Sequence, residues 1–321
     1  MNQPHEQPNL AEIIPTVTRR QLIQYAGLAA LAAATRQDKR LQDDYWPDTE
    51  TSLQLLEEDG RLPAAEGWLV VPGLGNQNGE TMARQFKSQL PWERKSPVAY
   101  FNYANQGYTR GEIASKALIY ASRLKAMSIY GHSMGGVTAL DAIRGLETPI
   151  SRIVLNCAPF DIDDARDGFA GKVLGRVADA LHLDGGPLTT YTGTVVTDTR
   201  RDGFRFDNFL KAAEQTLHGS PPKLQVSQMK HLASFNLNQG LSDFKGCITP
   251  STQVLYIAPA HLLDDKTVDN LPAFHKWSTY FENFGTNVET LSVPNMGHAD
   301  TRMAAIEAKY WLNISRDVLY T

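Results

Sequence analysis

From about residue 51 onward the chain alternates between two hydrophobic rhythms. Short, almost continuously apolar runs occur at Trp68–Val71, Pro97–Tyr103 ("PVAYFNY"), Ala126–Tyr130, Ile153–Cys157, Gln253–Ala258 and Val288–Val293. Runs of that length are expected of strands buried on both faces. Helical spacing separates them. Met82, Phe86 and Leu90 recur four apart, and Ile113, Ala114, Ala117, Leu118, Ala121 and Leu124 form a broad stripe over Gly111–Leu124. Val137, Leu140 and Ile143 mark a third helix, and two more are expected near Pro272–Phe284 and from about Thr301 to Leu312. This alternation predicts an α/β fold, a mostly parallel central sheet flanked by helices. Upstream, "TSLQLLEEDGRLPAAEGWLVV" reads as a hairpin turning at Asp59-Gly60.

The rhythm breaks between Pro159 and Pro250. Helical patches occur at Phe169–Leu181, Phe209–Leu217 and Met229–Leu237, with no convincing pair of strands. So long an excursion from an α/β scaffold predicts a helical cap or lid over about residues 160–250. The apolar patches of this cap favour a lipophilic ligand, although ordinary core packing explains them equally well.

Chemistry first appears where the Ala126–Tyr130 strand meets the helix marked by Val137. The junction reads Gly131-His132-Ser133-Met134-Gly135-Gly136. A Gly-x-Ser-x-Gly pattern is weak by itself, but a strand before it and a helix after it give it meaning. A turn this tight forces the serine into a strained conformation, and a Cβ at Gly131 or Gly135 would collide across it. The first N–H groups of the following helix lack backbone partners, so the Met134 N–H is placed to stabilise an oxyanion formed when Ser133 attacks a carbonyl. A second donor is expected from Pro72-Gly73-Leu74-Gly75, after the Trp68–Val71 strand, with the Leu74 N–H as the candidate.

A serine hydroxyl needs a base. Among the eight histidines, His298 follows the last strand in "SVPNMGHAD" and reaches the same edge of the sheet. His132 is read as packing, because adjacent residues on a tight turn point apart, and His218, His231, His261 and His275 as structural. An orienting carboxylate completes such a site. Asp265 in "PAHLLDDKTVD" is the first candidate, Asp264 the second and Asp161 a third. A solvated acidic loop would explain each aspartate alone, but serine, aspartate and histidine arriving in that order, each just past a strand, are far less expected by accident.

Composition narrows the classes. The 321 residues carry a formal net charge of -4, with 42% hydrophobic and 21% charged residues. This gives no basis for a nucleic-acid partner, and no apolar run reaches the ~18 residues of a membrane span. Cys157 and Cys247, the only cysteines, have neither metal-ligand spacing nor the pattern of a disulfide framework. Cys157 is read as a buried free thiol.

At the N-terminus, Arg19-Arg20 precedes Leu22-Ile23, a modestly apolar "QYAGLAALAAA" and the small residues Ala32-Ala33-Ala34. This resembles a twin-arginine export signal over residues 1–34, implying an exported (periplasmic, extracellular or cell-surface) mature chain that starts near Thr35. The alternative is an ordinary alanine-rich helix of a cytoplasmic protein.

From about Thr51 onward the chain resembles an α/β-hydrolase, most like the esterase and lipase-like branch. "GHSMGG" is similar to that branch's nucleophile elbow, "PGLG" to its oxyanion loop with proline in place of the usual histidine, and "NMGH" to its histidine loop. The glycine that often precedes the acid by two to four residues is missing from "APAHLLDD". The resemblance implies Ser133 as nucleophile, His298 as general base and acid, Asp265 or Asp264 as orienting acid, Leu74 and Met134 as oxyanion donors, and no metal or organic cofactor. It further implies a small-molecule ester as substrate. A peptidase, an acyltransferase or a non-catalytic binding protein would use the same scaffold.

Overall fold

The structure, a computed structural model, describes residues 50–56, 63–73, 79–89, 96–105, 107–164, 241–261, 267–298 and single positions at 224, 227, 228, 231, 232, 234, 235, 264 and 265. The strands are β1 (Ser52–Leu55), β2 (Ala64–Val71), β3 (Val98–Asn102), β4 (Leu124–His132), β5 (Ile150–Asn156), β6 (Gln253–Pro259) and β7 (Val288–Val293). Between them lie α1 (Gly79–Gln89), α2 (Arg110–Ala121), α3 (Gly135–Ile143), the short α4 (Leu241–Phe244) and α5 (Asn270–Glu282). They form one seven-stranded sheet of order β1-β3-β2-β4-β5-β6-β7. Every neighbouring pair from β3 to β7 is parallel, and β1 alone runs antiparallel, against β3.

The inner strands are mostly apolar because they feed two cores, one on each face of the sheet, whereas β1 and β7 at its edges are partly polar and partly exposed. Trp68 and Val70, Tyr100, Tyr130, Val154, Leu255 and Ile257 pack on one face with Met82, Ala83 and Phe86 of α1. Leu69 and Val71, Phe101, Ile129, Leu155 and Tyr256 point to the other, against Ile113 and Ala117 of α2, Leu140 of α3 and Trp277 of α5. Helix α2 starts where Thr109 caps it, its hydroxyl accepting the Glu112 N–H at 3.2 Å.

Strand order creates the site. From β2 the chain moves through α1 to β3 on one side, then returns through α2 to β4 on the other. Right-handed crossovers in opposite directions place their helices on opposite faces, as α1 and α2 are. A crevice therefore opens at the carboxyl ends of β2 and β4, the usual ligand position in such sheets.

The expected hairpin is corrected. Strands β1 and β2 both exist, but β3 lies between them: Leu53 pairs with Phe101, and Trp68 with Val98. Both edges of β2 are taken by parallel neighbours, β3 and β4, so β1 adds to the outer edge of β3. Asp59-Gly60 lies outside the described residues.

Residues 1–34, most of the expected cap and the helix expected from Thr301 to Leu312 also lie outside the described residues. Several described positions at 160–250 are packed inward. Phe160, Leu224, Leu232, Phe235 and Phe244 belong to the larger core cluster, and the Phe160 ring stands 4.8 Å from that of Trp277. Among the described residues, no helix is long and apolar enough to cross a membrane.

Candidate active site

Strand β4 ends at His132, and Ser133 follows with φ of 53°. This is the left-handed region, unfavourable for a residue with a side chain. The turn is pinned on both sides: the Ser133 N–H donates to the Asn156 carbonyl at 2.8 Å, and the Gly136 N–H to the Ser133 carbonyl at 2.9 Å. Close approach explains the flanking glycines. A Cβ on Gly135 would run into the Val71 carbonyl oxygen, and one on Gly131 would sit 2.8 Å from the Gly135 oxygen. The Ser133 hydroxyl is thus held at the crevice, and the Met134 N–H stands at the head of α3, where helix geometry leaves it unpaired. Leu74 lies outside the described residues, but Gly73 is seen: a Cβ there would meet the Ser133 Cβ at 2.9 Å.

His298 comes from the loop after β7, which turns through Asn295 (φ 56°) and is anchored by the buried Met296. Its Nε2 lies 2.9 Å from the Ser133 Oγ and its Nδ1 3.0 Å from the Asp265 Oδ2. A carboxylate only accepts, so Nδ1 carries the hydrogen and Nε2 is free to accept from the serine hydroxyl.

Asp265 is fully buried in the loop between β6 and α5. Its Oδ1 accepts from the Thr267 and Val268 N–H groups at 2.8 and 2.9 Å. Its Oδ2 accepts from the Asn270 side-chain amide at 2.8 Å as well as from His298. Burial alone would push the carboxyl up, but the hydrogen bonds from His298, Val268 and Asn270 outweigh it and hold the carboxyl down at about 2.

The other aspartates are elsewhere. Asp264 is exposed, and the Asp161 carboxylate is held by Lys276 Nζ, 2.9 Å from each oxygen. His231 lies 3.3 Å from Asp141, and His261 and His275 are exposed. His218 lies outside the described residues.

Three neighbours join the site that the sequence does not place there: Asn270 is unassigned, Cys157 is read as a buried thiol and His132 as packing. Asn270, five residues past Asp265, joins that carboxylate to the Tyr256 hydroxyl, which donates to its Oδ1 at 2.8 Å. Cys157, a free and buried thiol, follows β5 with φ of 47°. Its Sγ, an Asp265 oxygen and a His298 nitrogen lie within 4.8 Å of one another. That donor set has the chemistry of a zinc site, yet the Asp265 oxygens already accept N–H bonds. Burial and the facing carboxylate push the thiol well up, keeping it a protonated donor. The cluster is thus a hydrogen-bonded support and a poor metal cage. The third neighbour is His132, whose imidazole does more than pack: its Nε2 lies 2.7 Å from the His298 carbonyl oxygen. Loop sequence carries no periodic signal for such contacts, although an aspartate accepting N–H bonds from two and three residues on is a recognisable turn chemistry.

No protein-family model matches the sequence, and no curated protein sequence matches it significantly. Solved structures do. A carboxylesterase structure from the ammonia-oxidizing thaumarchaeon Nitrososphaera gargenis superimposes with a TM-score of 0.50 at 12% identity, covering 85% of this chain and 98% of that one. MGS-M2, an alpha/beta hydrolase enzyme from a Medee basin deep-sea metagenome library, gives 0.50 at 15% identity, covering 83% and 96%. Identities this low speak to architecture, and the architecture agrees with the strand order and the parallel pairing described above. The chain has the α/β-hydrolase fold.

Proposed function

We propose that the protein is a serine hydrolase that cleaves a carboxylic ester through an acyl-enzyme. The observation that carries this is the unbroken hydrogen-bonded chain from Asp265 through His298 to Ser133. In the proposed reaction His298 Nε2 removes the hydroxyl proton as Ser133 Oγ attacks the ester carbonyl. The tetrahedral oxyanion is held by the Met134 N–H and, in this proposal, by the Leu74 N–H. His298 then protonates the leaving alkoxide, the acyl-enzyme forms, and a water activated by the same imidazole releases the acid. Asp265 keeps the imidazole in the useful tautomer and stabilises the imidazolium.

The direct test is hydrolysis of p-nitrophenyl esters of graded acyl length. Ser133→Ala should lower kcat by on the order of 10⁴-fold with folding intact, because the triad acts as a unit. Undiminished turnover in that variant would remove the serine mechanism. Turnover of aminoacyl amides or transfer to acyl acceptors, in preference to ester hydrolysis, would move the protein to the peptidases or acyltransferases. A folded protein inert to all three would be a binding protein.

We also propose export, on the twin-arginine pattern at Arg19-Arg20. Replacing both with lysine should hold the precursor in the cytoplasm. Undisturbed secretion of the double variant would exclude this route.

A further inference from the structure

We propose that His132 is a positioning residue that fixes the catalytic histidine loop over the nucleophile by donating its Nε2–H to the backbone carbonyl of His298. This rests on the Ser133–His298–Asp265 reading above.

His132 and Ser133 are neighbours in the chain, yet both reach His298, more than 160 residues away. The serine hydroxyl binds the imidazole Nε2 at 2.9 Å, and His132 binds the carbonyl of the same residue at 2.7 Å. A side chain's position follows from its own Cα and the peptide planes on either side. Gripping the carbonyl therefore sets where the imidazole can swing.

The gripping group is itself anchored in the sheet. His132 is the last residue of β4 and pairs in register with Asn156 of β5. It is 8% exposed. Since the acceptor is a carbonyl, Nε2 must carry the hydrogen, leaving Nδ1 bare on the side facing Gly73, where a Cβ would come within 3.1 Å of it. His132 thus stands between the Gly73 loop and the His298 loop, the two segments that must hold still while charge develops at Ser133.

Its charge state suits the task. Burial lowers the imidazole to about 4, so at neutral pH it is an uncharged donor. The two rings lie 5.3 Å apart between centroids, and a second cation there would oppose the imidazolium that His298 becomes during turnover. A lysine or arginine would supply the hydrogen bond and spoil the base.

The test compares His132→Leu, which removes the donor at similar volume, with His132→Gln, whose amide nitrogen reaches as far as Nε2. The Leu variant should lose roughly 10- to 100-fold in kcat with KM little changed, as expected of a misplaced base, and the Gln variant should recover most of it. Should His132→Leu fail to fold, His132→Asn replaces it: polar but too short to reach the carbonyl, it should fall well below Gln in kcat. A folded His132→Leu with wild-type kcat, or Gln and Asn variants of equal kcat, would overturn the proposal. Failure of the triad reading looks different, since Ser133→Ala would then retain turnover.

Discussion

Ser133 is a serine where backbone geometry prefers glycine, with glycine on both sides where packing excludes a Cβ. Its φ of 53° places a strain of about 1–3 kcal/mol at one residue, and bonds to Asn156 and from Gly136 hold it there. That arrangement was legible in "GHSMGG", because a tight strand-to-helix turn dictates small neighbours. The choice between adjacent aspartates was not legible, since both sit in an acidic loop with no periodicity. Geometry separates them: Asp265 is buried on His298, whereas Asp264 is exposed. Asp265→Ala should therefore reduce kcat by on the order of 10³- to 10⁴-fold, while Asp264→Ala and Asp161→Ala stay within about twofold. Steady-state kinetics of the three variants decide it, and equal small losses would move the acid elsewhere.

At the scale of elements, the site is a meeting of strand ends: β2 brings Gly73, β4 brings Ser133, the loop after β6 brings Asp265 and the loop after β7 brings His298. Sequence rhythm located these ends well, because the inner strands, buried on both faces, must be apolar and must stop where polar loops begin. The edge strand β7 still carries apolar residues at Val288, Leu291 and Val293. Val288–Val293 matches β7 residue for residue. Rhythm could not reveal pairing. Asp59-Gly60 signals a reversal, but which strand β1 joins depends on the free edge of β3, a property of the assembled sheet. Nor could it reveal that the first residue of α5, Asn270, reaches back to Asp265. Asn270→Ala removes a donor from a buried carboxylate, an omission worth about 1–3 kcal/mol. Lower thermal stability and a kcat reduced by roughly tenfold are expected. A melt and activity equal to wild type would show that the carboxylate is sufficiently held by its other donors.

For the whole molecule, the same buried network makes acid a destabilising agent. His132 is lowered to about 4, so as pH falls from about 6.5 the unfolded chain takes up a proton that the folded chain refuses. Asp265, lowered to about 2, adds the same effect below about 3.8, where its carboxylate is protonated in the unfolded chain first. In both windows the unfolded state binds more protons, so stability falls with pH. Asp164, raised by burial, acts in the opposite sense within the carboxylate range. Thermal melts from pH 7 to 4 should show a declining midpoint, and His132→Gln, which cannot titrate, should flatten that decline. A wild-type midpoint constant across the interval would contradict a buried neutral imidazole at position 132.

Activation of Ser133 by His298 is read out by mass spectrometry after exposure to a fluorophosphonate at neutral pH. One phosphonyl adduct should form, on the peptide containing Ser133, with labelling abolished in Ser133→Ala and slowed by orders of magnitude in His298→Gln. A folded wild-type protein that gains no adduct, or gains it on a different residue, would mean that Ser133 is not the nucleophile.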